Sequence, residues 1–183
     1  MKNNDYLNNI IDYIENNDDL LNYLSSECGF DVEEYDQLLD DLGFLMESTK
    51  SNYNIEPFAC DGSGGIYALL DNELVGYIDS EGQAGIVAKN IHDFFSILIH
   101  CGCLEDFGKF CWLDSQSEFM EQYKKCEESY IKEFSEEFEL ENDPQKIYHM
   151  FKDAALTQPK LTITATSEDY EDYQQMFEIE QEQ

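Results

Sequence analysis

The sequence contains no arginine, and its 10 lysines face 41 aspartates and glutamates, for a formal net charge of -31. Without arginine the chain lacks the planar bidentate donor that proteins most often use to grip phosphate and carboxylate groups. This disfavours enzymes acting on such substrates. The same deficit argues against nucleic acid and anionic membranes as partners, because the field of the chain repels phosphate. Histidine is scarce, with three residues, and no nucleophile, base and orienting group stand at recognisable spacings. The chain therefore reads as a non-enzyme. Long apolar runs are missing too: Phe94-Phe95 and Ile97-Leu98-Ile99 fall far short of a membrane span. Met1 to Asp5 leads into a polar, acidic stretch without the apolar segment of a secretory signal. A cytoplasmic location is expected, with the six cysteines Cys28, Cys60, Cys101, Cys103, Cys111 and Cys126 as free thiols.

What is present suffices for a core. With 183 residues, 42% of them apolar and 14% aromatic, the chain can offset its conformational entropy despite the acidity. One domain is expected over residues 1–166, followed by an acidic tail over 167–183. Negative charge is spread along the chain and is densest toward both ends; only 144–166 carries a slight positive excess. A field of this sign steers basic proteins toward the surface. The plainer source of such acidity is a proteome in which negative charge serves solubility.

Apolar spacing predicts helices over residues 5–24, broken at Asn16-Asn17-Asp18. Asp31 is the expected N-cap of the next helix, with Glu34 as its reciprocal partner, an apolar stripe of Val32, Tyr35, Leu38, Leu39 and Leu42, and Gly43 as the stop. From Ile55 the period changes. Gly65 to Leu70, Leu74 to Ile78 and Ala84 to Ala88 read as strands joined by turns too short for crossovers, which predicts an antiparallel meander. Asn90 caps a helix that ends at Cys101-Gly102-Cys103. One long helix is predicted from Asp114 or Ser115 through Phe119, Tyr123, Cys126, Tyr130, Phe134 and Phe138, with glutamates on its other face. Pro144 behind Asp143 opens another, and Leu161, Ile163 and Ala165 alternate as a further strand.

Several patterns invite chemistry and fail on their spacing. Gly62-Ser63-Gly64-Gly65 resembles a phosphate-cradling loop, but position 67 is Tyr67 rather than the third glycine of a dinucleotide fingerprint, and no Gly-Lys follows. Ser63 is not at a nucleophile elbow, because position 61 is Asp61. A turn feeding a strand explains the glycines by their tolerance of positive φ. His92, His100, Cys101, Cys103 and Cys111 are close in sequence, yet C-x-C is not the usual zinc knuckle and no second pair follows. Asp71-Asn72-Glu73-Leu74-Val75-Gly76 fails as a calcium loop at Val75, where an oxygen ligand is required. Neither a metal nor a cofactor is expected.

The stretch from Pro57 to Ile99 carries an ordered set of features: Phe58 near Asp61, then Gly62, Gly64 and Gly65, a strand with Tyr67, a second around Val75, and a closing helix with Phe94 and Phe95. This order resembles the core of the SUKH superfamily, which includes bacterial toxin-immunity proteins and a fungal regulator of cell-wall synthesis. The resemblance spans residues 55–103 and implies an α+β fold with a central antiparallel sheet backed by helices. It also implies a non-catalytic scaffold that binds protein partners. The nine motif residues read mainly as fold residues.

Taken with the charge, the resemblance implies an immunity protein that covers the basic active site of a cognate toxin, such as a nuclease. Glu127, Glu128, Glu136 and Glu137, with Tyr170, Tyr173 and Phe177 as aromatic anchors, are the expected contacts. The competing readings are an intracellular regulatory or scaffold protein of the same family, or an acidic DNA mimic.

Overall fold

The computed structural model describes residues 2–179, with side chains from Asp5 onward, and has the α+β architecture expected. Helices α1 (Lys2–Glu15) and α2 (Asp18–Cys28) are separated where the asparagines fall, because the Asn17 side chain accepts from the Leu20 N–H at 3.0 Å and starts a new helix. Gly29 closes α2 in the left-handed conformation, φ 57°, returning its N–H to the Leu24 carbonyl.

Helix α3 (Tyr35–Leu45) departs from expectation at both ends. Asp31 caps nothing: its backbone forms a bridge with Cys60, N–H to carbonyl in both directions at 2.8 and 3.0 Å, so the chain stays extended there. Gly43 does not stop the helix, which continues to Leu45. Glycine inside a helix costs about 1 kcal/mol, and seating Leu42 and Leu45 against the sheet offsets that cost.

Strands β2 (Ile55–Cys60), β3 (Ile66–Leu70), β4 (Leu74–Ile78) and β5 (Gln83–Ala88) form the antiparallel meander, preceded by the short β1 (Thr49–Ser51). Asp71 and Asn72 turn the chain between β3 and β4 with φ of 52° and 60°, a conformation that Asp and Asn tolerate better than other non-glycine residues. Helix α4 (Ile91–Cys101) starts on Asn90, whose side chain accepts from the Asp93 N–H at 2.8 Å.

Downstream come α5 (Glu105–Lys109), α6 (Gln116–Gln122), α7 (Ser129–Glu137), α8 (Pro144–Ala155), β6 (Ile163–Ala165) and β7 (Gln174–Gln175). The single long helix expected from Asp114 or Ser115 is therefore two, with residues 123–128 non-helical between α6 and α7. The end of α4 explains the break. Its last carbonyls have no partner within the helix, and the break supplies them: Lys124 donates its N–H to the His100 carbonyl at 2.8 Å, and the Cys126 thiol reaches that of Ile99 at 3.0 Å.

The main sheet has the order β2-β3-β4-β5-β7, and β1 pairs with β6 as a separate ribbon. Side chains of β3 alternate between two apolar layers. Tyr67 and Leu69 face α1, α2 and α4, where Phe30, Phe94 and Phe95 pack; Ile66, Ala68 and Leu70 face the opposite side, held by Leu38, Leu161 and Ile163. With both faces covered, every residue of β3 is buried.

The expected acidic tail folds back. Tyr173 donates its hydroxyl to the Leu45 carbonyl at 2.7 Å, and β7 pairs in parallel with β5. Phe177 sits on bare backbone: a Cβ at Gly85 would lie 2.9 Å from its ring, and one at Gly108 would collide with the Met176 carbonyl oxygen. Residues 180–183 of that tail lie outside the described residues.

Candidate functional site

Of the motif residues, Asp61, Gly62, Gly64 and Gly65 make the turn between β2 and β3, and Tyr67 lines the small cavity beside it. Asp61 Oδ1 accepts from Ser63 N–H at 2.7 Å, the Ser63 hydroxyl at 2.8 Å and Gly65 N–H at 2.9 Å, which folds the chain around a single carboxylate. Oδ2 accepts from the Tyr77 hydroxyl on β4. Gly65 is required by crowding rather than by φ: a Cβ there would stand 2.5 Å from Tyr77 Oη and 2.6 Å from Asp61 Oδ2. Burial raises the Asp61 pKa, but the bonds from Tyr77, Gly65 and Ser63 outweigh it and hold the carboxyl below its ordinary value. Tyr77 is pushed up, mostly by burial.

Glu105, in the first turn of α5, brings a second carboxylate to the same hydroxyl, with Oε2 3.4 Å from Tyr77 Oη. One hydroxyl hydrogen cannot serve both acids, and it points to Asp61. Burial first, then the charges of Asp61, Asp106 and Asp79, raise the Glu105 pKa. Cys103 lines the same cavity of about 110 Å³, and burial with the neighbouring carboxylates pushes its thiol up, away from the reactive thiolate. Small-molecule sites commonly run to 300 Å³ or more. The cluster's bonds are spent on one another, so it locks the turn to β4.

Of the other motif residues, Val75, Phe94 and Phe95 are fully buried, and Phe58 is half-buried beside Phe94 with ring centroids 5.6 Å apart. The expected contact residues are scattered. Glu127 and Glu128 precede α7, Glu136 and Glu137 end it, and all four are exposed. Tyr170 is exposed, whereas Tyr173 is half-buried. Phe177 is corrected from a surface anchor to a core residue: it is 3% exposed and packs edge-on to Phe151 at 5.5 Å.

The histidines and cysteines are drawn apart by packing. His92 Nε2 lies 3.0 Å from the Glu139 carbonyl, His100 stacks on Tyr123, Cys101 is buried and Cys111 is exposed. Among the described residues no group of three or more His, Cys, Asp or Glu is placed to hold a metal ion. No helix among them is long and apolar enough to cross a membrane.

Sequence reasoning missed Tyr77 and Glu105 as partners of Asp61. Tyr77 carried a usable signal, since it alternates with Val75 on one face of β4. It also missed an open groove of about 310 Å³ between α1, the approach to α3 and β2. Tyr35 and Leu39, expected on the packing stripe of α3, stand out from it at 50% and 42% exposure. Leu39 stands about 60–120° around a helix of 3.6 residues per turn from Leu38, Leu42 and Leu45, which was the available clue, whereas Tyr35 lies near the direction of Leu42 and is the first residue of the helix. Compared with known proteins, the chain matches no family model, no curated protein and no solved structure, and the fold and its surface carry the functional argument.

Proposed function

We propose that this chain is a SUKH-type protein without catalytic activity, which acts in the cytoplasm as an immunity protein against a basic protein toxin. The observation that carries this reading is the unneutralised charge. Among the described residues, only Lys124 with Glu27 and Lys146 with Glu141 form lysine–carboxylate pairs, and the acidic faces otherwise project into solvent. Such a field accelerates encounter with a basic protein and opposes phosphate-bearing ligands. A toxin that binds phosphate presents the complementary surface, and its coverage excludes substrate by bulk and by charge. The SUKH part of this reading rests on the resemblance of the Asp61 turn, the strands around Val75 and the helix with Phe94 and Phe95 to the core of that family.

Co-expression with the product of the adjacent gene tests the function. A complex that forms at low salt, weakens with added salt and restores growth to cells expressing that product is the expected result. Failure to form a complex at low salt overturns the reading.

A further inference from the structure

The groove between α1, the approach to α3 and β2 has an apolar floor that includes Leu7, Ile11 and Phe58. Tyr35 forms its lip. Leu39 follows one helical turn later on the same flank of α3, so that the two exposed apolar side chains continue the groove surface along the helix. A half-exposed aromatic beside an unfilled apolar cleft has the composition of an interface centre, where binding energy concentrates.

The surroundings select the occupant. Glu33 and Glu56 line the groove, and Asp36 and Asp40 are exposed farther around α3, while no lysine is among its described lining residues. An apolar side chain carried on a basic segment satisfies both the floor and the rim. Strand addition to the β2 edge is disfavoured, because Pro57 offers no N–H, the register shifts between Pro57 and Ala59, and Asp31 already occupies the edge at Cys60. A helix docks through side chains and needs no free edge.

We propose that this groove receives a basic amphipathic helix of a protein partner, with one or two of its apolar side chains seated between Tyr35 and Phe58. The identification of that partner as a toxin rests on the function proposed above; the groove rests on its own chemistry.

The test is titration of the isotope-labelled full chain with a synthetic helical peptide of lysine and leucine in amphipathic order, at low ionic strength, followed by NMR. Expected are shifts concentrated at Leu7, Ile11, Tyr35, Leu39 and Phe58. Tyr35→Ala with Leu39→Ala should weaken binding by about tenfold or more, the loss of an anchor residue. Phe44→Ala should leave it unchanged, since Phe44, 79% exposed, occupies the other flank of α3. Absence of binding, shifts spread over all acidic faces, equal binding of a scrambled peptide, or equal weakening by Phe44→Ala would each overturn the groove. If the adjacent gene product binds and the Tyr35/Leu39 double variant does not weaken it, the groove falls and the immunity reading stands. If the peptide maps to the groove while that gene product fails to bind, the reverse holds.

Discussion

Tyr77 donates its hydroxyl to Asp61 and so fastens the turn ahead of β3 to the neighbouring strand β4, with Gly65 leaving the room for the two to meet. Replacing Gly65 with alanine puts a methyl group 2.5 Å from the Tyr77 oxygen. The expected cost is about 1–3 kcal/mol, as for other overpacked sites. Tyr77→Phe removes a hydrogen bond to a charged group, worth about 1.5–3 kcal/mol. Because each change damages the same contact, the double variant should lose at least about 0.5 kcal/mol less than the sum. Urea denaturation of the four proteins measures this, and strict additivity would show that Gly65 does not serve the Tyr77–Asp61 contact.

The two carboxylates at Tyr77 respond oppositely to acid. Asp61 is held below its ordinary value of 3.8, so its contribution is present above that pH and is lost as pH falls through the lower folded value. Glu105 is raised above its ordinary 4.5, so its charge costs stability at neutral pH, and the cost disappears as pH falls through the folded value toward 4.5. Glu105→Gln should therefore stabilise the protein at pH 7 by on the order of 0.5 kcal/mol, the size of a partly screened charge interaction. Thermal melts from pH 7 to pH 4 should show this advantage shrinking; an advantage that grows in acid would contradict the assignment.

Acidic side chains at helix C-termini oppose the macrodipole. Helix α7 has Glu136 and Glu137 in its last turn and no basic residue there. The Tyr13 pKa is raised by burial and then by the charges of Glu133 and Glu137. Glu137→Lys complements the dipole and places a lysine four residues after Glu133, a favourable order. A gain of about 0.5–1 kcal/mol at low salt is expected. Denaturation repeated in high salt should show most of the gain screened away; a gain insensitive to salt would point to packing instead.

Phe177 and Tyr170 test whether the C-terminal segment belongs to the fold. Phe177→Ala empties the place over Gly85 and beside Phe151 and should cost about 3–5 kcal/mol. Tyr170→Ala, at an exposed position, should stay within about 0.5 kcal/mol of the parent. Equal, small effects in both would mean that the segment contributes little to stability.

Features written in a few consecutive residues were legible in the sequence. Asn90 with Asp93, Asp143 ahead of Pro144, and the strand Leu74–Ile78 all stand where local chemistry put them. The break between α6 and α7 was not legible, because Phe119, Tyr123, Cys126 and Tyr130 keep helical spacing across it. What holds 124–126 out of a helix is the carbonyl end of α4, distant in sequence. Gly43 carried the opposite lesson: a local stop signal was outweighed by two leucines that the sheet receives. At the site, the Asp61 turn could be read from its glycines, but Glu105 reaches Tyr77 only through the path of α5. Phe177 looked like part of an acidic tail because Gly85 and Gly108, which make its seat, lie far upstream.

The parallel pairing of β5 with β7 imposes an order on the making of this protein. β5 is synthesised mid-chain, whereas its edge partner and the ring that covers Gly85 arrive only near residue 177. Until then the growing sheet has an unpaired rim with bare backbone beside it, the kind of surface on which two unfinished copies join. Much of the negative charge is already present in those copies, and it pushes them apart. The same negative charge thus also guards each incomplete sheet against its own kind.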